Sequence, residues 1–265
     1  MVEVKNLSGS AKGFAPIKDI SFKLQNGQIY GILGDRESGG STLLAMLAGA
    51  LLPAEGEVKL GGFDTVQDAM QARRQVGYLP DAHTPTPDLT PAEYLLLTAE
   101  MKGVDYNRAV RRVAELLDFA ALDAKRSVLI KKLSKADQRL LGIAQTLLGD
   151  PQFLLLDEVT ADLSLKEAQS IRNWMEELRG AKTVFWYSQS ASELRSVCDR
   201  ILVLQSGSLV EIAPPDARLW TTADWQSTPA SPTPAPKKKA SRWEILTRGA
   251  KDFEIIDTNE SEERP

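Results

Sequence analysis

Apolar positions along the chain fall into short unbroken runs separated by longer stretches with helical spacing. Ile29-Tyr30-Gly31-Ile32-Leu33 is the first well-marked run, and its near-continuous apolar character is what a strand covered on both faces requires. A glycine-rich turn from Gly34 to Gly40 follows. From Ser41 onward, Leu43, Leu44, Leu47 and Leu51 recur at spacings that place them on one helical stripe. Phe153-Leu154-Leu155-Leu156, Thr183-Val184-Phe185-Trp186-Tyr187 and Ile201-Leu202-Val203-Leu204 repeat the buried-strand pattern. The region from about 91 to 149 reads as mostly helical. Thr90-Pro91-Ala92-Glu93 and Ser134-Lys135-Ala136-Asp137 each carry a hydroxyl cap with an acid three residues later, the pattern that satisfies free amides at a helix start. Alternation of such runs and helices predicts an α/β domain with a largely parallel sheet.

The pattern changes near Trp225. Gln226 to Pro236 has prolines too frequent for helix or sheet, so it reads as an extended linker. Trp243 and Ile245, then Phe253 and Ile255, alternate with polar residues on either side of Thr247-Arg248-Gly249-Ala250. That is a weak hairpin signal, and a disordered solubilising tail fits it as well. The 265 residues are 43% apolar and 26% charged, an ordinary globular composition. The tail from 226 is neutral, so the net charge of −4 sits in the preceding residues, and no general electrostatic attraction to nucleic acid is expected. No run of about 18 apolar residues occurs, so neither a bilayer span nor a signal peptide is expected. One cysteine, Cys198, and one histidine, His83, leave no disulfide framework and no Cys/His metal cluster, which points to a reducing cytosol. His83 reads as a loop residue and Cys198 as a small packing residue on a helical stretch.

Two segments carry candidate chemistry. Gly34-Asp35-Arg36-Glu37-Ser38-Gly39-Gly40-Ser41-Thr42 lies between a buried strand and a helix start, where backbone amides and the helix dipole face an anion. It matches G-x-x-x-x-G-K-[ST] except at the lysine, where Gly40 stands. Leu154-Leu155-Leu156-Asp157-Glu158 places two carboxylates just beyond a buried strand. Asp157 with Ser41 could hold Mg²⁺, and Glu158 could polarise an attacking water.

With both segments in this order, the chain resembles the nucleotide-binding subunits of ABC transporters over about residues 2 to 213. Gly77-Tyr78-Leu79-Pro80-Asp81 stands at the Q-loop, Leu133-Ser134-Lys135-Ala136-Asp137 at the LSGGQ signature, Asp150-Pro151 before the Walker B strand, and Ser188-Gln189 at the switch histidine. Asp199-Arg200-Ile201 through Gly207-Ser208-Leu209-Val210 resembles the closing strand pair. An acid after Gly77-Tyr78-Leu79-Pro80 is similar to the type-2 exporter branch, whose members pump drugs, lipids, polysaccharides or peptides outward. The resemblance implies a P-loop NTPase fold of the ABC ATPase type, with a mixed sheet core, an N-terminal antiparallel β region and an inserted helical subdomain. The ATPase domain would span 1–225 with the helical insert at about 88–149, followed by a linker at 226–241 and a short tail at 242–265. It further implies ATP and Mg²⁺ as cofactors, a membrane-spanning permease and a second ABC ATPase subunit (or a homodimer) as partners, no nucleic acid, and a cytoplasmic, peripheral place on the inner face of the membrane. The implied site residues are Gly34 to Thr42, Asp81 and Ser134 for nucleotide, Ser41 and Asp157 for metal, and Glu158 and Gln189 for catalysis.

Departures from the family pattern are concentrated in that site. Gly40 replaces the phosphate-bridging lysine, Ala11 an adenine-stacking aromatic, Gln189 the switch histidine, Lys135 and Ala136 the signature glycines, Ser164 the D-loop aspartate, and Val159 the proline after the catalytic glutamate. A lost charge-assisted hydrogen bond costs about 1.5 to 3 kcal/mol, roughly tenfold to a hundredfold in affinity. Asp35 and Glu37 are expected to add like charge near a polyphosphate, each costing up to roughly 2 kcal/mol at about 8 Å. Arg36 reads as a solvated charge with a lesser chance of replacing the lysine, and Phe14 could supply an adenine platform from a shifted position. The expectation is a degenerate half of an asymmetric exporter, beside a sister subunit with intact motifs. An active ATPase with compensating residues and a module that no longer binds nucleotide remain as alternatives.

Overall fold

A computed structural model describes residues 1–161 and 163–215. The expected linker at 226–241 and the tail at 242–265, with its hairpin pattern, lie outside the described residues. In chain order the strands are β1 (Val2–Gly9), β2 (Ile17–Leu24), β3 (Ile29–Leu33), β4 (Glu55–Leu60), β5 (Phe63–Asp64), β6 (Val76–Leu79), β7 (Phe153–Asp157), β8 (Thr183–Ser188), β9 (Arg200–Gln205) and β10 (Ser208–Ala213). The helices are α1 (Gly40–Leu47), α2 (Ala69–Arg74), α3 (Pro91–Met101), α4 (Tyr106–Phe119), α5 (Lys135–Thr146), α6 (Leu165–Leu178) and α7 (Ala191–Val197). They form two compact units, Met1–Ala82 with the described chain from Gln152 onward, and His83–Pro151.

The first unit holds two sheets. One is six-stranded in the order β10-β9-β3-β8-β7-β6, parallel from β9 to β6 and closed by antiparallel β10. The other is antiparallel, in the order β2-β1-β4-β5. Strands β7 and β8 are buried at every position, which is why they read as continuous apolar runs rather than as alternation. By contrast β2 alternates buried and exposed residues along most of its length, as a strand with one covered face does. The leucines of α1 pack into the same core as Leu155, Phe185 and Leu202 of the sheet, with Tyr30 stacked on Phe185 at 5.2 Å between ring centroids. Burying a side chain of this kind stabilises by about 1.5 to 3 kcal/mol. A Cβ on Gly31 would fall 3.0 Å from Cys198 Sγ and 3.2 Å from Leu194 Cδ2, so these neighbours pack tightly on the glycine. Burial also pushes the Cys198 thiol well above its usual range, so its role is packing, as expected from sequence.

In the second unit α3 and α4 follow one another across a short turn, and two 3₁₀ turns, Asp123–Lys125 and Ile130–Lys132, lie between α4 and α5. Thr90 and Ser134 form the capping boxes of α3 and α5, each with its acid reaching back to the cap amide. His83 lies in an irregular segment, as expected, but it is not merely solvated there. Its Nε2 is 3.1 Å from the Tyr94 hydroxyl, which donates to Gln145 Oε1 at 2.7 Å. Burial, aided by the positive charge of Arg139, lowers the His83 pKa.

Candidate functional site

The loop between β3 and α1 is folded on itself before it meets anything else. Ser38 donates its N–H and its hydroxyl to the Asp35 carbonyl at 3.1 and 2.7 Å, and Asp35 Oδ1 accepts from the Glu37 amide at 3.1 Å. Gly34 permits this closure, since a Cβ there would lie 2.2 Å from Ser38 Oγ. Gly39, in the left-handed region at φ 89°, turns the chain into α1 with no side-chain cap and no acid in the first turn. The opening amides of a helix have no partner within it and carry its positive dipole end, so this start is suited to an anion. Thr42 Oγ1 donates to the Ala15 carbonyl, tying the helix start to the segment between β1 and β2.

Asp157 ends β7 in the buried row and is only 2% exposed. It accepts from Ser41 Oγ at 3.1 Å and from the Asp81 amide. Its carboxyl is raised to about 6, chiefly by burial and then by the negative charges of Asp81 and Glu158, with the Ser41 bond opposing. The chain turns sharply next: Glu158 has φ 47°, an unusual conformation for a residue with a Cβ. Its N–H donates to the Tyr187 carbonyl at 3.0 Å, and its Oε1 accepts from Gln189 N–H at 3.1 Å and Gln189 Nε2 at 2.9 Å. Burial raises the Glu158 pKa, offset by the two Gln189 bonds.

These groups line one cavity of about 370 Å³. Gly39, Ser41 and Thr42 form its floor of amides and hydroxyls, Asp81, Asp157, Glu158 and Gln189 bring the acids and the amide, and Phe14 stands at its rim. Phe14 is 40% exposed, whereas Ala11, at the expected stacking position, is not among the lining residues. Of the three charged loop residues Arg36 alone lines the cavity. Asp35 and Glu37 are exposed and do not line the cavity, and Asp35 accepts a hydrogen bond within the loop's own turn. Ser134 belongs to the helical unit, where its hydroxyl accepts from Asp137 N–H at 3.1 Å. Ser164 likewise caps α6 with Glu167, a local reason for a serine there.

The donor set suits Mg²⁺ in part. Among the described residues no cluster of three or more His, Cys, Asp or Glu side chains is placed to hold a metal alone. Ser41 and Asp157 offer a hydroxyl and a carboxylate, and Mg²⁺ ordinarily completes such a set with phosphate oxygens and water. Sequence reading missed Tyr187 at this site. The end of β8 was legible only as a buried strand, yet Tyr187 lines the cavity and its hydroxyl donates to the Asp35 carbonyl at 2.6 Å and, more weakly, to the Gly34 carbonyl at 3.3 Å. A polar aromatic at the end of an otherwise apolar run was the available signal.

Comparison with known proteins identifies the family. The profile of the ABC transporter family matches residues 17–161. The linearmycin resistance ATP-binding protein LnrL of Bacillus subtilis is 27% identical over 213 residues, covering 80% of this chain and 68% of the relative. The Nod factor export ATP-binding protein I of Bradyrhizobium diazoefficiens is 32% identical over 217 residues, covering 80% and 71%. In fold, the chain is similar to an ATP-binding cassette dimer solved in a post-hydrolysis state with ADP and Pi, at a TM-score of 0.71 and 24% identity over 82% of this chain and all of the other. Among the described residues no helix is long and apolar enough to cross a membrane. The chain therefore belongs to the ABC transporter family, as one of its ATP-binding subunits.

Proposed function

We propose that this chain is the ATP-binding subunit of an exporter and serves as the catalytically impaired half of a pair, beside a sister subunit with intact motifs. The observation that carries the proposal is the charge inventory of the cavity. Its lining holds the acids Asp81, Asp157 and Glu158 against one basic side chain, Arg36, which is itself exposed. An intact site would set a lysine from residue 40 among the phosphates, and Gly40 supplies none. MgATP, where bound, supplies the anhydride whose cleavage drives transport. Ser41 and Asp157 would hold the metal, the opening amides of α1 would cradle the phosphates, and Glu158, fixed by Gln189, would face the attacking water. The name of the Bradyrhizobium diazoefficiens relative, a Nod factor export ATP-binding protein, supports the direction of transport. A membrane-spanning permease and the inner face of the cell membrane follow from the same reading.

Calorimetric titration of the purified protein with MgATP tests it. Affinity no tighter than millimolar, rising when the sister subunit is added, is the expected result. Micromolar affinity with phosphate release abolished by Glu158→Gln would instead mark a working ATPase, with Arg36 standing in for the lysine. No binding and no ATP-dependent thermal shift, with or without a partner subunit, would leave only a structural role.

A further inference from the structure

We infer that Tyr187 is a built-in occupant of the phosphate loop and that Gly40 is the residue its ring requires, so the missing lysine cannot be restored by changing residue 40 alone. The inference rests on the nucleotide-site reading of this cavity. It turns on two residues far apart in the chain that the sheet brings face to face.

The geometry is specific. A Cβ built on Gly40 would lie 2.2 Å from Cε2, 2.3 Å from Cδ2 and 2.8 Å from Cγ of Tyr187. The Cγ–Cδ2–Cε2 side of the ring thus fills the place from which any side chain at residue 40 would start. Gly40 is not in the left-handed region, so its backbone conformation does not demand glycine. Helix propensity favours alanine there, which leaves the ring as the reason for the glycine.

Tyr187 is poorly able to move aside. In the sheet its register sets it between Ile32 of β3 and Asp157 of β7. It is 2% exposed and part of the core that includes Tyr30, Leu43 and Phe185. The hydroxyl is anchored on the Asp35 carbonyl at 2.6 Å, and burial keeps it protonated with a pKa of about 12, so it is a donor across the usual pH range. A neutral donor thereby holds a loop carbonyl from within. A lysine side chain at residue 40 and the Tyr187 ring cannot share this volume.

A double-mutant cycle on the full chain tests the inference, with melting temperature and MgATP calorimetry as separate readouts. Gly40→Ala, which should raise or leave the melting temperature on helix propensity alone, is expected to lower it by several degrees. Gly40→Lys is expected to lower it further and to leave MgATP affinity within threefold of the parent. Adding Tyr187→Thr, a β-branched residue suited to a strand, should recover at least half of the melting loss of Gly40→Lys and tighten MgATP binding at least tenfold. Adding Tyr187→Phe should recover neither, because the ring stays. A Gly40→Ala variant that melts at or above the parent would overturn the inference. So would tenfold tighter binding by Gly40→Lys alone, or an unchanged affinity in Gly40→Lys/Tyr187→Thr. Failure of the impaired-subunit reading is distinct: micromolar MgATP affinity in the unmodified protein would end that reading, while the melting cycle would still decide whether the ring excludes a side chain at residue 40.

Discussion

Replacing Asp157 by Asn should make the nucleotide-free protein more stable at neutral pH. Asp157 is nearly fully buried, beside Asp81 and Glu158, and its carboxyl sits at about 6 rather than at the ordinary 3.8. A shift of that size, roughly 2 pKa units at about 1.4 kcal/mol each, corresponds to about 3 kcal/mol. The sign follows from the direction of the shift. Below the unfolded-state pKa the group is protonated in both states and costs nothing. As pH rises through about 4 to 6 the unfolded chain releases its proton first, so the folded state loses stability relative to it, and above about 6 the whole penalty is present. An amide keeps the shape and an oxygen to accept the Ser41 hydrogen bond, but it carries no charge to desolvate. Asp157→Asn should therefore gain about 1 to 3 kcal/mol at pH 7.5 in EDTA, and the gain should shrink toward zero near pH 4. Urea unfolding of both proteins across this pH range measures it. A variant less stable than the parent at pH 7.5, or a difference that does not change with pH, would refute the idea that this acid is held at the expense of stability for a cation.

Other outcomes follow from the same structure. Arg36→Ala should weaken MgATP binding about threefold to tenfold, whereas Glu37→Ala should change it less than twofold, because Arg36 alone of the two lines the cavity; calorimetry on both variants checks the contrast. Thr90→Ala removes the cap of α3 and should cost about 1 kcal/mol in chemical denaturation. Cys198, 4% exposed and with its thiol pushed up by burial, should react with a thiol reagent only at the rate of unfolding, and rapid labelling of the native protein at pH 8 would contradict its packing against Gly31.

Much of the fold was legible because its signals are local. The unbroken apolar runs of β3, β7 and β8 announce strands covered on both faces, and their bounds in the structure differ from the sequence expectation by a residue at most. The capping boxes at Thr90 and Ser134 rest on contacts three residues apart, so they too are written in the chain itself. The glycine-rich loop and the strand-end acids were likewise found from spacing, as was the absence of a lysine at residue 40.

What spacing could not decide is which side chains share the cavity. Asp35, Arg36 and Glu37 are consecutive, charged and all exposed, yet Asp35 is bonded within the loop and of the three Arg36 alone lines the cavity. Phe14 rather than Ala11 lines the cavity, the two being held in one turn by the bond from Phe14 N–H to the Ala11 carbonyl. The sequence by itself determined that the chain builds a parallel sheet with a phosphate-type loop lacking its lysine, since hydrophobic period, caps and glycine placement are properties of neighbours in the chain. Only the tertiary structure decided what fills the vacated place. The Tyr187 ring rests on Gly40 because the register of β8 between β3 and β7 carries it there, and register is a relation among distant strands that no single segment encodes.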